Sequence, residues 1–188
     1  MRRYIGRSRV RAEWENLLYF QKHGIPTARL VAFGERRASL FRREGMLVTE
    51  EVPGAIDLLS LMTGADAKRT LGNRSWTDAL VSGLAGTVSL LHANNFFHGD
   101  LKWRNILVRK DQPSKVFLID CPMGRKLPGF LRERGIVKDL ACLDKVAKYS
   151  LSRTKRMAFY HKYTGKMRLD DNDKRRIRRI LRFFKGRE

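Results

Sequence analysis

An α+β fold, in which one amphipathic helix and a small antiparallel patch lead into a larger, mainly helical part, is what this 188-residue sequence predicts. Three observations carry that reading. Apolar residues recur at three- and four-residue spacing ahead of Gly24-Ile25-Pro26, and short apolar runs broken by Gly and charge occupy Leu30 to Glu51. Helical spacing then returns beyond Pro53-Gly54.

The first helix spans about Ser8 to His23, with Val10, Trp14, Leu17 and Leu18 on its apolar side and Gly24 as the candidate C-cap. Leu30 to Phe33, Ser39 to Arg42 and Met46 to Glu51 follow as short strands, with Gly34 to Arg37 and Arg43 to Gly45 as turns. Pro53-Gly54 is a natural hinge, which divides the chain into residues 1–53 and 54–188. Ser75 and Asp78 have the spacing of a capping box, and Trp76, Leu80, Leu84, Val88 and Leu91 mark the buried stripe of a helix reaching Asn94. A loop from Asn95 to Asn105 leads into two apolar runs, Ile106 to Val108 and Val116 to Ile119, that read as a hairpin around Lys110 to Ser114. After a Pro/Gly-rich loop from Pro122 to Gly129, Val137, Leu140, Leu143 and Val146 mark a further helix, and two basic helices close the chain.

The chain carries 40 Lys and Arg against 19 Asp and Glu, a formal charge of +21, which calls for a partner or surface of negative charge. Anionic lipid head groups and phosphorylated glycans fit; nucleic acid fits less well, because no aromatic-rich single-strand motif accompanies the charge. Cys121 and Cys142 form no CxxC pair, which argues against a disulfide framework or a zinc site and for a reducing, cytoplasmic setting. No apolar run long enough for a signal peptide or a membrane span is present.

The segment His98-Gly99-Asp100-Leu101-Lys102-Trp103-Arg104-Asn105 fits H-x-D-x-x-x-x-N, and Leu118-Ile119-Asp120 lies beyond the hairpin. Phosphoryl transfer asks a protein mainly to position a hydroxyl in line with the γ-phosphate and to neutralise developing charge. Asp100 is the candidate base for the acceptor hydroxyl and Lys102 the cation for the transferring phosphate. Asn105 and Asp120, at opposite ends of the hairpin, are candidate oxygen ligands for Mg²⁺. His98 reads as a buttress of the loop and Trp103 as packing.

These motifs resemble the lipopolysaccharide core kinase family, the Kdo and WaaP-type heptose kinases (InaA-like), which are distant relatives of protein kinases. Arg11 to Leu17, Gly24 to Thr27, Ala32 to Glu35, Lys138-Asp139-Leu140 and Leu151 to Tyr160 extend the resemblance over most of the chain. It implies a protein-kinase-like fold with a truncated N-lobe (1–53) and a helical C-lobe (54–188). It also implies ATP with Mg²⁺ as cofactors and a glycolipid acceptor at the cytoplasmic face of the inner membrane. Glu13 resembles the helix glutamate that pairs with a phosphate-holding strand lysine, and Asp139 the aspartate that braces the catalytic loop. The last helix, with basic residues from Lys174 to Lys185 around Ile177, Ile180 and Phe183, resembles a membrane-surface binder, although docking of its apolar stripe on the core is the stronger expectation.

The sequence departs from the family pattern at its front. No G-x-G-x-x-G is present, only twelve residues precede Glu13, and the first lysine is Lys22. The readings this leaves are a chain whose start has been misplaced, which is favoured, a divergent kinase in which Arg2 or Arg3 substitutes, or a pseudokinase. His-Gly-Asp-Leu and Ile-Asp-Cys-Pro also resemble RIO-like protein kinases and aminoglycoside-type kinases. A non-catalytic adaptor that uses the positive charge to bind membrane or RNA is the alternative from another class.

Overall fold

The computed structural model describes residues 7–39 and 43–186. Helix α1 (Arg9–Lys22) starts where Ser8 accepts a hydrogen bond from the Arg11 amide. It stops at His23, because Gly24 takes φ +66° and the Ile25 amide donates back to Phe20 O at 2.9 Å. That closure inserts Ile25 beside Leu17 and Phe20 in the core.

Strands β1 (Leu30–Arg37) and β2 (Arg43–Thr49) form one antiparallel hairpin. The turns expected at Gly34 to Arg37 and Arg43 to Gly45 are therefore strand. Charge suggested a turn there, but on an exposed ladder opposite charges pair across it, as Arg36 does with Glu44 at 2.9 Å. Of the strand expected at Ser39 to Arg42, Ser39 lies in a bend and the rest falls outside the described residues. Gly45 lets α1 pack closely on the hairpin, since a Cβ there would stand 3.1 Å from Val10 Cβ, a tight contact.

Beyond Gly54, at φ +67°, strand β3 (Ala55–Asp57) joins β5 (Ile106–Arg109) and β6 (Val116–Leu118) in a sheet ordered β3-β5-β6. Asp57 caps α2 (Leu58–Thr63), and α3 (Ala67–Gly72) follows. Helix α4 (Arg74–Ala93) has the expected buried stripe, but Asn73 is its N-cap, accepting from the Trp76 amide at 3.1 Å. The Ser75-Asp78 box is not formed, since both residues already lie inside the helix, where Asp78 pairs with Lys155. Within the expected loops, β4 (Phe96–Phe97) pairs with β7 (Arg125–Lys126), and Trp103–Asn105 form one 3-10 turn.

Helix α5 (Gly129–Ser150) packs against α6 (Arg153–Thr164) and α7 (Asp171–Arg182). Asp170 and Asp173 form a reciprocal capping box on α7. Ile180 is buried, and Ile177, Phe183 and Phe184 pack on the core, so the apolar stripe of α7 is taken up by docking; Arg176 turns inward to Glu133 at 2.7 Å, while Arg175, Arg178, Arg179 and Arg182 are exposed. No helix among the described residues is long and apolar enough to cross a membrane.

Candidate active site

The β5–β6 register sets Ile106 opposite Leu118, and the Ile119 amide donates to Asn105 O at 3.0 Å. Asn105 and Asp120 are thereby brought to the same, open end of the hairpin and not to opposite ends as expected, because the two strands run antiparallel. Alternate side chains, Ile106, Val108, Val116 and Leu118, are almost wholly buried, so the register cannot slip by one residue without exposing the core face. Asp120 itself sits at φ +52°, a left-handed conformation uncommon for a residue with a side chain, and so turns the chain abruptly away from the strand.

The catalytic-type loop is held from behind. Asp139, fully buried on α5, accepts from the His98 amide at 2.8 Å and from the Gly99 amide at 2.9 Å. Gly99 is at φ +79°, and a Cβ on it would stand 2.9 Å from Met123 O, so this turn accepts only glycine. His98 Nε2 lies 3.1 Å from Ile119 O and donates to it, tying the loop to the segment that carries Asp120. Nδ1 of the same ring is buried without a partner, and burial pushes the imidazole pKa down, so the ring is neutral. A buried neutral imidazole with one nitrogen on a carbonyl is a brace.

Asp100 and Lys102 form an ion pair at 2.9 Å, with both side chains reachable by solvent. Asn105 donates its side-chain amide to Asp100 O at 2.9 Å, which leaves its carbonyl oxygen as the ligand atom it can offer. Asp120 meets Arg9 of α1 at 3.3 Å. Asn105 and Asp120 thus supply hard oxygen donors at one end of one hairpin, a donor set that suits Mg²⁺. Among the described residues no cluster of three His, Cys, Asp or Glu gathers. A Mg²⁺ site with few protein ligands is nonetheless usual, because nucleotide phosphates and water complete it.

Glu13 faces this end as well. Its carboxyl is raised above the usual glutamate range, first by burial and then by the charge of Asp120, with Arg9 opposing. Glu15 instead pairs with Arg7 at 2.7 Å. No lysine pairs with Glu13 among the described residues, and Arg2 and Arg3 lie outside them.

Sequence reasoning missed three contributors. His92 reaches Asp139 at 3.3 Å through Nε2 and the Tyr163 hydroxyl at 2.8 Å through Nδ1, so a buried chain of polar groups runs from α6 to the loop. A histidine on the buried stripe of α4, beside Leu91, was the available signal. Asn16, on the core side of α1, donates to Cys121 O at 2.6 Å and Gly124 O at 2.9 Å, fixing the turn after Asp120. Arg9 carried no local signal, since its partner is 111 residues away.

Residues 1–163 match the model of the "Lipopolysaccharide kinase (Kdo/WaaP) family". The chain belongs to this family. Members are kinases acting on lipopolysaccharide core sugar, and the protein is accordingly a phosphotransferase of that kind. Among solved structures it is similar to "WaaP in complex with acyl carrier protein" at 26% identity and TM-score 0.67, over 94% of this chain and 71% of that one. An aminoglycoside-3'-phosphotransferase of type VIII shares the fold at 18% identity and TM-score 0.59, over 92% of this chain and 79% of that one. The kinase-like α+β architecture expected from the sequence is therefore the family's own. No curated protein sequence matches the chain.

Proposed function

We propose that the chain transfers the γ-phosphate of ATP to a sugar hydroxyl of the lipopolysaccharide inner core, with Asp100, Lys102, Asn105 and Asp120 as the working groups. The supporting observation is that one buried carboxylate, Asp139, fixes the turn carrying Asp100, while one hairpin register holds Asn105 beside Asp120. Asp100 accepts the proton of the attacking hydroxyl as its oxygen bonds to phosphorus and ADP leaves. Lys102 offsets charge on the transferring group and, in the resting state, orients the Asp100 carboxylate through their ion pair. Asn105 and Asp120 hold Mg²⁺, which when bound neutralises the nucleotide phosphates. Arg9, which is exposed and pairs with Asp120 only at the surface, would yield that carboxylate to the metal at little cost.

In this reading residues 1–53 form a partial small lobe and 54–188 the large one. Glu13 awaits a cation that the described residues do not supply. The outward arginines of α7, among them Arg175, Arg178 and Arg182, rest the protein on an anionic membrane surface that presents the acceptor.

Calorimetric titration with ATP and Mg²⁺, followed by phosphate transfer to core-dephosphorylated lipopolysaccharide, tests the reading. Metal-dependent binding lost in Asp120→Ala and transfer lost in Asp100→Asn are the expected results. Binding that is unaltered in Asp120→Ala refutes the metal assignment. Absence of any nucleotide binding, with salt-sensitive binding to anionic vesicles retained, would favour the adaptor, for which the +21 charge is the one supporting feature.

A further inference from the structure

Three arginines stand at the start of α1, and their partners divide them. Arg7 pairs with Glu15 at 2.7 Å and Arg11 with Glu35 at 3.0 Å, so both are committed to carboxylates within residues 1–53. Arg9, between them in sequence, reaches across the fold to Asp120 instead, with Nη2 at 3.3 Å from Oδ1. Its hold is slight. Arg156 grips Asp144 with two N–H groups at 2.7 Å each, and Arg29 grips Glu50 at 2.6 and 3.0 Å. Arg9 donates once, at a longer distance, and makes no other hydrogen bond or ion pair among the described residues; its side chain is 74% exposed. Most of a five-donor fork is therefore unused at the end of the hairpin where Asn105 and Asp120 meet.

The base of this arm is fixed while its tip is free. Ser8 caps α1 by accepting from the Arg11 amide at 3.1 Å, Leu17 and Phe20 are buried, and Asn16 ties the helix to the turn after Asp120 through Cys121 O and Gly124 O. The Arg9 backbone thus keeps its place beside the metal end whatever its side chain does. Glu13, one helical turn further on, adds a second negative charge there, and its carboxyl is pushed up by burial and then by Asp120, with Arg9 opposing. Two neighbouring carboxylates repel, and one exposed guanidinium offsets them. A divalent cation at Asp120 performs that task better and leaves the guanidinium without its anion. Phosphate oxygens held by the same metal then suit a planar fork, which takes them in pairs.

We infer that Arg9 is a phosphate-binding residue for a nucleoside triphosphate, holding Asp120 before the metal arrives and gripping phosphate oxygens once it has. The inference rests on the kinase reading above. It adds to that reading a phosphate ligand from α1 itself, one turn before Glu13, and makes the Arg9–Asp120 pair a contact that gives way to the nucleotide.

The test is calorimetric titration of the full chain with ATP and with adenosine, each with Mg²⁺, in the unaltered protein, Arg9→Ala, Arg9→Lys, Arg36→Ala and Asp120→Ala. Arg9 is exposed on the first turn of α1, and alanine and lysine are both good helix formers, so the fold is kept, which the unfolding midpoint checks. ATP affinity is expected to fall at least tenfold in Arg9→Ala and by less than twofold in Arg36→Ala, which removes an equal charge from an exposed pair on the β1–β2 hairpin. Adenosine, which carries no phosphate, should bind the unaltered chain and Arg9→Ala alike, and Arg9→Lys, which keeps the charge without the fork, should bind ATP with intermediate affinity. Mn²⁺ alone, followed by electron paramagnetic resonance, should bind Arg9→Ala at least as tightly as the unaltered chain, since the competing cation is gone. A smaller loss of ATP affinity in Arg9→Ala, an equal loss in Arg36→Ala, an equal loss for adenosine, or weaker Mn²⁺ binding in Arg9→Ala overturns the assignment. ATP binding that needs Mg²⁺, disappears in Asp120→Ala and survives in Arg9→Ala leaves the kinase reading standing and removes Arg9 from it. No ATP binding by the unaltered chain overturns both.

Discussion

Two antiparallel hairpins of similar sequence character have opposite fates in this protein. In β5–β6 alternate residues are buried to the last percent, with Ile106, Val108 and Leu118 wholly inaccessible. In β1–β2 no described residue is buried at all. The second hairpin is held by the Trp14–Phe33 stack at 4.7 Å, by the close approach of Val10 to Gly45 and by exposed pairs such as Arg29–Glu50. Burial fixes register, whereas exposed pairing and ion pairs leave it weakly specified. The chain therefore places its metal-ligand candidates on the hairpin that cannot slip. In the exposed β1–β2 hairpin, which buries no residue, lower local stability is the natural expectation.

The largest effect on this contrast should come from Asp139→Ala, which leaves two buried loop amides unsatisfied. A loss of about 3–5 kcal/mol is expected, read from denaturant unfolding, with transfer abolished. Leu118→Ala should cost about 2–5 kcal/mol by opening a cavity under β6. A cost below about 1 kcal/mol would show that the two hairpins are less different than their burial implies. Asp120→Gly separates stability from function: it removes a left-handed strain of about 1 kcal/mol, so unfolding should shift upward or hold while metal-dependent nucleotide binding disappears.

Acidification probes the brace. The folded-state pKa of His98 is depressed by burial, so below the ordinary histidine value of about 6.5 the unfolded chain binds the proton first. Stability should accordingly fall as pH drops through that value. The slope should shrink in His98→Asn, and an unchanged slope would place the titrating group elsewhere. The smallest effect belongs to the exposed hairpin, where Arg36→Ala, removing a pair with Glu44, should change unfolding by less than about 0.5 kcal/mol.

Much of the site was legible because its spacing is local. Asp100, Lys102 and Asn105 lie within one loop, and the apolar alternation of Ile106 to Val108 announces the strand that orients Asn105. The residues Gly34 to Arg37 and Arg43 to Gly45 read as turns and not as strand because their charged members, Arg36 and Glu44 among them, pair across an exposed ladder, and a turn and such a ladder look alike in composition. The cap of α4 was placed two residues late because Asn73 and Ser75 are both capping types, and only the Trp76 amide direction chooses between them.

What the sequence by itself determined is the catalytic-type loop, the hairpin behind it and the docking stripe of α7, since each depends on periodicity or on neighbours within a few residues. What only the tertiary structure decided is how distant residues meet. Asp139 reaches back 40 residues to the Gly99 amide, His92 and Tyr163 join it from two other helices, and Arg9 finds Asp120 from the far end of the chain. The groove lined by Arg7, Tyr19 and Lys126 is of the same kind, because these residues share a wall only once α1 packs against the β4–β7 pair. Local patterns carry local geometry, and contacts across such separations are fixed by the packing of a shared core, which no single segment encodes.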